Sequence, residues 1–105
     1  MRILVVDDDP IQNAFAVEFI STSTVEVVTA GSGAAGLAKL AAGKFDFILV
    51  DYDMPGMTGL EFIKAVRSNT LLSRIPVIMV SSRDDVTSVD DAYSAGANFF
   101  DTKPV

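Results

Sequence analysis

Ile3-Leu4-Val5-Val6-Asp7-Asp8-Asp9-Pro10 combines three signals in one short stretch. Its apolar residues run without alternation, as they do in a strand buried on both faces of a parallel sheet. Asp9-Pro10 opens a helix, with Asp as N-cap and Pro at the first helical position. Between strand and helix lie acids, at the carboxyl end of the strand where open α/β sheets bind their ligands.

The same alternation continues outward. Apolar runs recur at 25–28, 45–50, 77–80 (with Ile75 ahead of it) and 99–100. Helical spacing fills the gaps. Ile11, Phe15 and Phe19 recur every fourth residue and predict a helix with an apolar stripe from Pro10 through about Ile20. Residues 33–42 are rich in Ala and Leu and stop at Gly43, a candidate C-terminal cap. Residues 59–67 place Leu60, Ile63, Ala65 and Val66 near one face, and 84–95 open with acids and stop at Gly96. The order β-α-β-α-β-α-β-α-β, with crossovers long enough for right-handed parallel units, predicts a doubly wound α/β domain.

Composition narrows the chemistry. A chain of 105 residues, 50% hydrophobic and 21% charged, suits one globular domain. It contains neither cysteine nor histidine. Disulfides, thiolate or imidazole zinc sites, Ser-His-Asp triads and histidine proton shuttles are therefore excluded. Net charge is −6, with no basic stripe to neutralise phosphates, so direct nucleic-acid binding is not expected. No apolar run reaches the ~18 residues of a membrane span, and the start turns acidic too early for a signal peptide. A soluble cytoplasmic domain is the expectation.

The strand ends carry the reactive groups. The first ends in Asp7-Asp8-Asp9, the third in Asp51-Tyr52-Asp53, the fourth in Ser81-Ser82 and the fifth in Thr102-Lys103-Pro104. Taken singly, each residue has an ordinary role. Asp9 is a helix cap, Asp7 and Asp8 solvated loop acids, Ser81 a loop serine and Lys103 a surface lysine. Together they converge on one edge. Carboxylates gathered there repel by roughly 1–4 kcal/mol per close pair, and a hard divalent cation such as Mg²⁺ relieves that cost. Asp51 beside such an ion and Lys103 becomes a nucleophile able to accept a phosphoryl group, with Ser81 donating a hydrogen bond to one of its oxygens.

Asp7-Asp8, Asp51 with Met54-Pro55-Gly56-Met57-Thr58-Gly59, Val80-Ser81-Ser82, Gly96-Ala97 and Lys103-Pro104 resemble the receiver domain of two-component response regulators. The resemblance runs from Arg2 to the last residue. It implies a flavodoxin-like, five-stranded parallel sheet in the order 2-1-3-4-5. It implies Asp51 as phosphoacceptor, and Asp7 and Asp8 as the pair holding Mg²⁺ (Mn²⁺ as an alternative), with Asp8 the more direct ligand. Asp53 would supply a backbone carbonyl to the metal, and its side chain would influence phosphoryl lifetime. Ser81 and Phe100 fall at the switch positions, and Lys103 at the lysine that pairs with the phosphoryl oxygens. Lys103-Pro104 would be a cis peptide. Thr58, where the family often has Asp, is expected to matter little.

The implied donor is a sensor histidine kinase or a histidine phosphotransfer protein, because this chain has no histidine of its own. A homodimer, an attached effector domain or a separate target would read the output. The protein would be a switch rather than an enzyme. A phosphatase of the haloacid-dehalogenase type shares the Asp-x-Asp pattern of Asp51-Tyr52-Asp53, but places it on an early strand, ahead of its acid pair. A receiver-like module that is never phosphorylated would lack some of the required residues, and all are present here. Receiver domains normally continue into a fifth helix, and this chain stops at Val105. The expectation is a receiver domain over residues 1–105, cut before that helix, with a second copy or partner covering the gap.

Overall fold

The computed structural model describes residues 1–103. The elements are β1 (Arg2–Val6), α1 (Pro10–Ile20), β2 (Glu26–Ala30), α2 (Gly33–Ala42), β3 (Phe47–Asp51), α3 (Gly59–Ser68), β4 (Val77–Ser81), α4 (Val86–Ala95) and β5 (Phe99–Thr102). All strand pairs are parallel and the order is β2-β1-β3-β4-β5, the doubly wound arrangement that the sequence predicts. Strand ends differ from the apolar runs by a residue or two because ladder pairing, not hydrophobicity, sets them. Asp51 pairs with Val80 and Ser81 with Thr102, so polar residues close β3, β4 and β5.

One face of the sheet is closed. Leu4, Val6, Ile48, Val50, Val77 and Met79 pack with Leu40 of α2, Phe62, Ile63 and Val66 of α3, and Ala92 and Ala95 of α4. On α3 the buried row differs from the expected one. Phe62, Ile63 and Val66 face the core, whereas Leu60 and Ala65 are half-buried. Thr58 also has a larger role than expected. Its hydroxyl accepts from the Glu61 backbone N–H, and the Glu61 carboxylate accepts from the Thr58 backbone N–H, closing a capping box that fixes where α3 begins.

The opposite face is covered unevenly. The register Val5–Leu49–Ile78–Phe99 lays an apolar row across four strands. Val5 is buried, Leu49 and Ile78 are half-buried, and Phe99 is 66% exposed. α1 contacts β1 and β2 only lightly and contains no buried residue. Its expected stripe is left exposed at Ile11, Phe15 and Phe19, although Phe15 and Phe19 border a cleft shared with Val5, Leu49 and Val80 of the sheet. The less exposed line runs through Asn13, Ala16 and Ile20. Phe15 and Phe19 instead stack on each other, with ring centroids 5.6 Å apart.

Helix ends follow the sequence. Asp9 caps α1 through the Ile11 N–H, and Asp85 caps α4 through the Ser88 N–H. Gly96 closes α4 in the left-handed region at φ 116°, a conformation that favours glycine. Gly43 is the C-cap of α2, in extended backbone, with its N–H donating to the Lys39 carbonyl at 3.1 Å.

Candidate functional site

The site lies at the carboxyl edge, where β1, β3, β4 and β5 end side by side. The Asp7 backbone N–H donates to the Ala30 carbonyl at 3.0 Å, which extends the β1 ladder by one residue and turns this carboxylate inward. Asp7 is buried, and its Oδ1 accepts from the Asp9 N–H at 3.0 Å. Asn13 Nδ2 donates to the Asp7 carbonyl at 2.8 Å, tying the acid pair to α1. Asp8 is exposed at the rim.

Asp51 is the last residue of β3 and is buried. Gly59 packs so closely against it that a Cβ there would collide with the Asp51 carbonyl oxygen, so glycine is required for the α3 N-terminus to approach the strand end. Lys103 reaches in from the end of β5. Its ammonium lies 3.0 Å from Asp51 Oδ1 and 3.4 Å from Asp7 Oδ2. Carboxylate oxygens of Asp7, Asp8 and Asp51 all lie within 4.8 Å of one another. Three acids thus face one ammonium across a few ångströms.

The protonation energetics reflect that crowding. Burial, reinforced by the charges of Asp7 and Asp8, holds the Asp51 carboxyl above the usual range despite its hydrogen bond from Lys103. For Lys103, burial pulls the ammonium down, but the hydrogen bond and charge of Asp51 together with Asp7 outweigh it and leave it raised. A hard divalent cation fits this all-oxygen donor set, because it supplies the positive charge that one lysine leaves short.

The remaining predicted residues sit around this cluster. Ser81 is fully buried at the end of β4; its Oγ accepts from the Arg83 N–H at 2.9 Å, and its carbonyl accepts from the Lys103 N–H at 2.7 Å. Phe100 is half-buried on β5, edge-on to Tyr52 at 6.5 Å between centroids. The Asp53 carboxylate stands apart from the three-acid cluster and is gripped by Arg83, with Nε to Oδ2 at 3.0 Å and Nη2 to Oδ1 at 2.8 Å. That hydrogen-bonded pairing holds the Asp53 carboxyl below the usual range. The Lys103–Pro104 peptide lies outside the described residues. Arg83 is the residue that sequence reasoning missed. The available signal was its offset, two residues past Ser81, as Asp53 is two residues past Asp51.

The fold and this edge define a doubly wound α/β domain with an acidic cluster and one lysine at the carboxyl ends of its strands, and comparison with known proteins gives the family. The model for the response regulator receiver domain matches residues 3–105, and the chain belongs to that family. It is 35% identical over 108 residues to the chemotaxis protein CheY of Pseudomonas aeruginosa, covering 99% of this chain and 85% of that protein. Among solved structures it resembles chemotaxis protein CheY4 of Vibrio cholerae, with a TM-score of 0.93, 32% identity and coverage of 99% and 87%. It also resembles response regulator TrrA of Thermotoga maritima in complex with Mg²⁺-BeF, with a TM-score of 0.84, 28% identity and coverage of 98% and 86%. The chain is a receiver domain of the two-component response regulator class. Among the described residues, no helix is long and apolar enough to cross a membrane.

Proposed function

We propose that this receiver domain is a phosphoacceptor switch in which Asp51 takes a phosphoryl group in a divalent-cation-dependent step. The observation that carries this reading is the placement of the Lys103 ammonium 3.0 Å from a buried Asp51 within the Asp7–Asp8–Asp51 cluster. Asp7, Asp8 and Asp51, with the Asp53 backbone carbonyl, would hold Mg²⁺ or Mn²⁺. Such an ion supplies charge neutralisation to the carboxylates and to the phosphoryl oxygens when bound.

The chain's own groups divide the remaining work. An Asp51 carboxylate oxygen attacks phosphorus, forming a P–O bond as the P–N bond to a donor histidine breaks and its electron pair returns to the imidazole nitrogen. Lys103 steadies a phosphoryl oxygen, and the Ser81 hydroxyl turns to donate to another. Moving Ser81 carries the β4–α4 loop with it and opens space into which Phe100 rotates. The donor is a histidine kinase or phosphotransfer protein of the cytoplasm. The reader of the switched surface is an effector domain, a target protein or a second copy.

The direct test is incubation with Mg²⁺ and acetyl phosphate, followed by intact-mass spectrometry. One added phosphoryl group is expected on the wild type and none on Asp51→Asn. An undiminished adduct on that variant refutes the assignment. Ser81→Ala keeps the adduct but loses the change in the Phe100 resonance on phosphorylation.

A further inference from the structure

The Asp53–Arg83 pair lies outside the three-acid cluster yet connects everything around it. Arg83 is held at four points. Its guanidinium is bidentate on Asp53, at 3.0 and 2.8 Å, and lies 4.9 Å over the Tyr52 ring. Its backbone N–H donates to Ser81 Oγ at 2.9 Å. Tyr52 in turn meets Phe100 edge-on. The pair therefore ties the loop that follows Asp51 to the loop that follows Ser81, and does so through a fork geometry that lysine cannot reproduce. It also neutralises a fourth carboxylate beside a site already crowded with acid.

We propose that Arg83 is a positioning residue whose ion pair with Asp53 latches the β4–α4 loop to the end of β3 and sets how strongly the acidic cluster draws a divalent cation. The proposal rests on the reading of that cluster as a cation site. Two consequences follow, and they differ in sign. As a latch, the pair is lost equally when either partner is removed. As a charge device, removal of Arg83 leaves Asp53 bare and strengthens cation binding, whereas removal of the Asp53 charge leaves Arg83 bare and weakens it.

The experiment compares wild type, Arg83→Met, Asp53→Asn, the double variant and Arg83→Lys. Amide exchange is followed over residues 82–85, and Mg²⁺ alone is titrated by calorimetry. Exchange of the Arg83 amide and its neighbours should accelerate about threefold to tenfold, the combined scale of an exposed ion pair and a cation–π contact. The acceleration should be at least as large in Arg83→Met, which also loses the contact with the Tyr52 ring, as in Asp53→Asn, and no larger in the double variant than in Arg83→Met. Mg²⁺ affinity should rise about threefold to tenfold in Arg83→Met, fall by a similar factor in Asp53→Asn, and return to wild type in the double, as a unit charge acting on a dication through water predicts. Arg83→Lys should restore the Mg²⁺ affinity but not the exchange protection. Exchange effects that add in the double variant, or Mg²⁺ affinities within twofold of wild type in both single variants, overturn the proposal. Absence of Mg²⁺ binding by the wild type, or its survival in Asp8→Asn, would instead defeat the cation-site reading; the exchange arm still decides the latch.

Discussion

The two faces of this sheet are built from the same strands and similar residues, yet they are held differently. On the α2–α3–α4 face, alternate strand residues and three helices interlock until Phe62, Ile63, Leu4, Ile48 and Met79 have no more than trace exposure. On the α1 face the register Val5–Leu49–Ile78–Phe99 is equally apolar, but the described residues shield its β1 end far better than its β5 end. Hydrophobicity alone therefore does not decide burial here. What decides it is whether a second layer stands over the row. The candidate site lies along the edge where both faces end, with Asp51 in a core-lined strand and Lys103 reaching in from β5.

Aromatic truncations break the comparison most directly. Phe62→Ala removes a fully buried ring from the closed face and should cost about 3–5 kcal/mol in urea denaturation. Phe19→Ala removes a ring that is 72% exposed and should change stability by less than about 0.5 kcal/mol. Equal losses would mean that the α1 face is as closed as the other. Next in size is Gly59→Ala, whose Cβ would press on the Asp51 carbonyl and on Met79. The shift it forces should cost about 1–3 kcal/mol. Because the displaced atom belongs to Asp51, phosphorylation should fall along with stability, which distinguishes this site from ordinary overpacking.

How far these differences could be read from sequence depends on which interactions are local. The strands were legible because residues buried on both faces leave continuous Val-, Ile- and Leu-rich runs, and the helix starts because Asp9-Pro10 is a local signal. The acids and Lys103 were legible because topology brings strand ends to one edge. The exposure of Ile11, Phe15 and Phe19 was not, since α1 is apolar on nearly every side and its period cannot say how fully any one side is covered. Phe62 was missed for a related reason: Leu60 and Phe62 are equally good apolar candidates until the helix is docked. Long-range polar staples leave little or no pattern. Arg67 donates to the carbonyls of Gly96, Ser73 and Ile75 and to Asn98, and nothing in its neighbours announces it. Arg83 on Asp53 is a milder case at the functional edge, where only the matching offsets from Ser81 and Asp51 hinted at the pair.

Asp51 sharpens the comparison through pH. Its carboxyl is raised chiefly by burial, so the folded state holds that proton more tightly than the unfolded chain does. Stability from this group therefore falls as pH rises from the unfolded value through the folded one, and stays reduced at neutral pH. Asp51→Asn removes the cost of burying the charge. Its melting temperature should exceed that of the wild type near pH 7, and the gap should close as the solution is acidified through the Asp51 transition. Added Mg²⁺ should raise the wild-type melting temperature at neutral pH, by linkage to the folded state, and act much less on the variant. A gap that widens in acid would mean that another group controls the site.

The caps separate the two faces most finely. Thr58 and Asp9 do the same local work, each accepting from a backbone N–H in the first turn of its helix. Loss of such a cap costs typically about 1 kcal/mol. For Thr58→Ala the helix affected is α3, which carries Phe62, Ile63 and Val66 into the closed core and so opens only when the core does. The full cost should appear as a loss of global stability in denaturant. For Asp9→Ala the helix affected is α1, which buries no residue and can open while the sheet and the other helices stay intact. Much of that cost should appear locally, as faster amide exchange along α1, with a smaller shift in the global transition. Two equivalent caps would then give different signatures solely because of the layers beneath them. Identical global losses would show instead that α1 is bound into the same cooperative unit as α3.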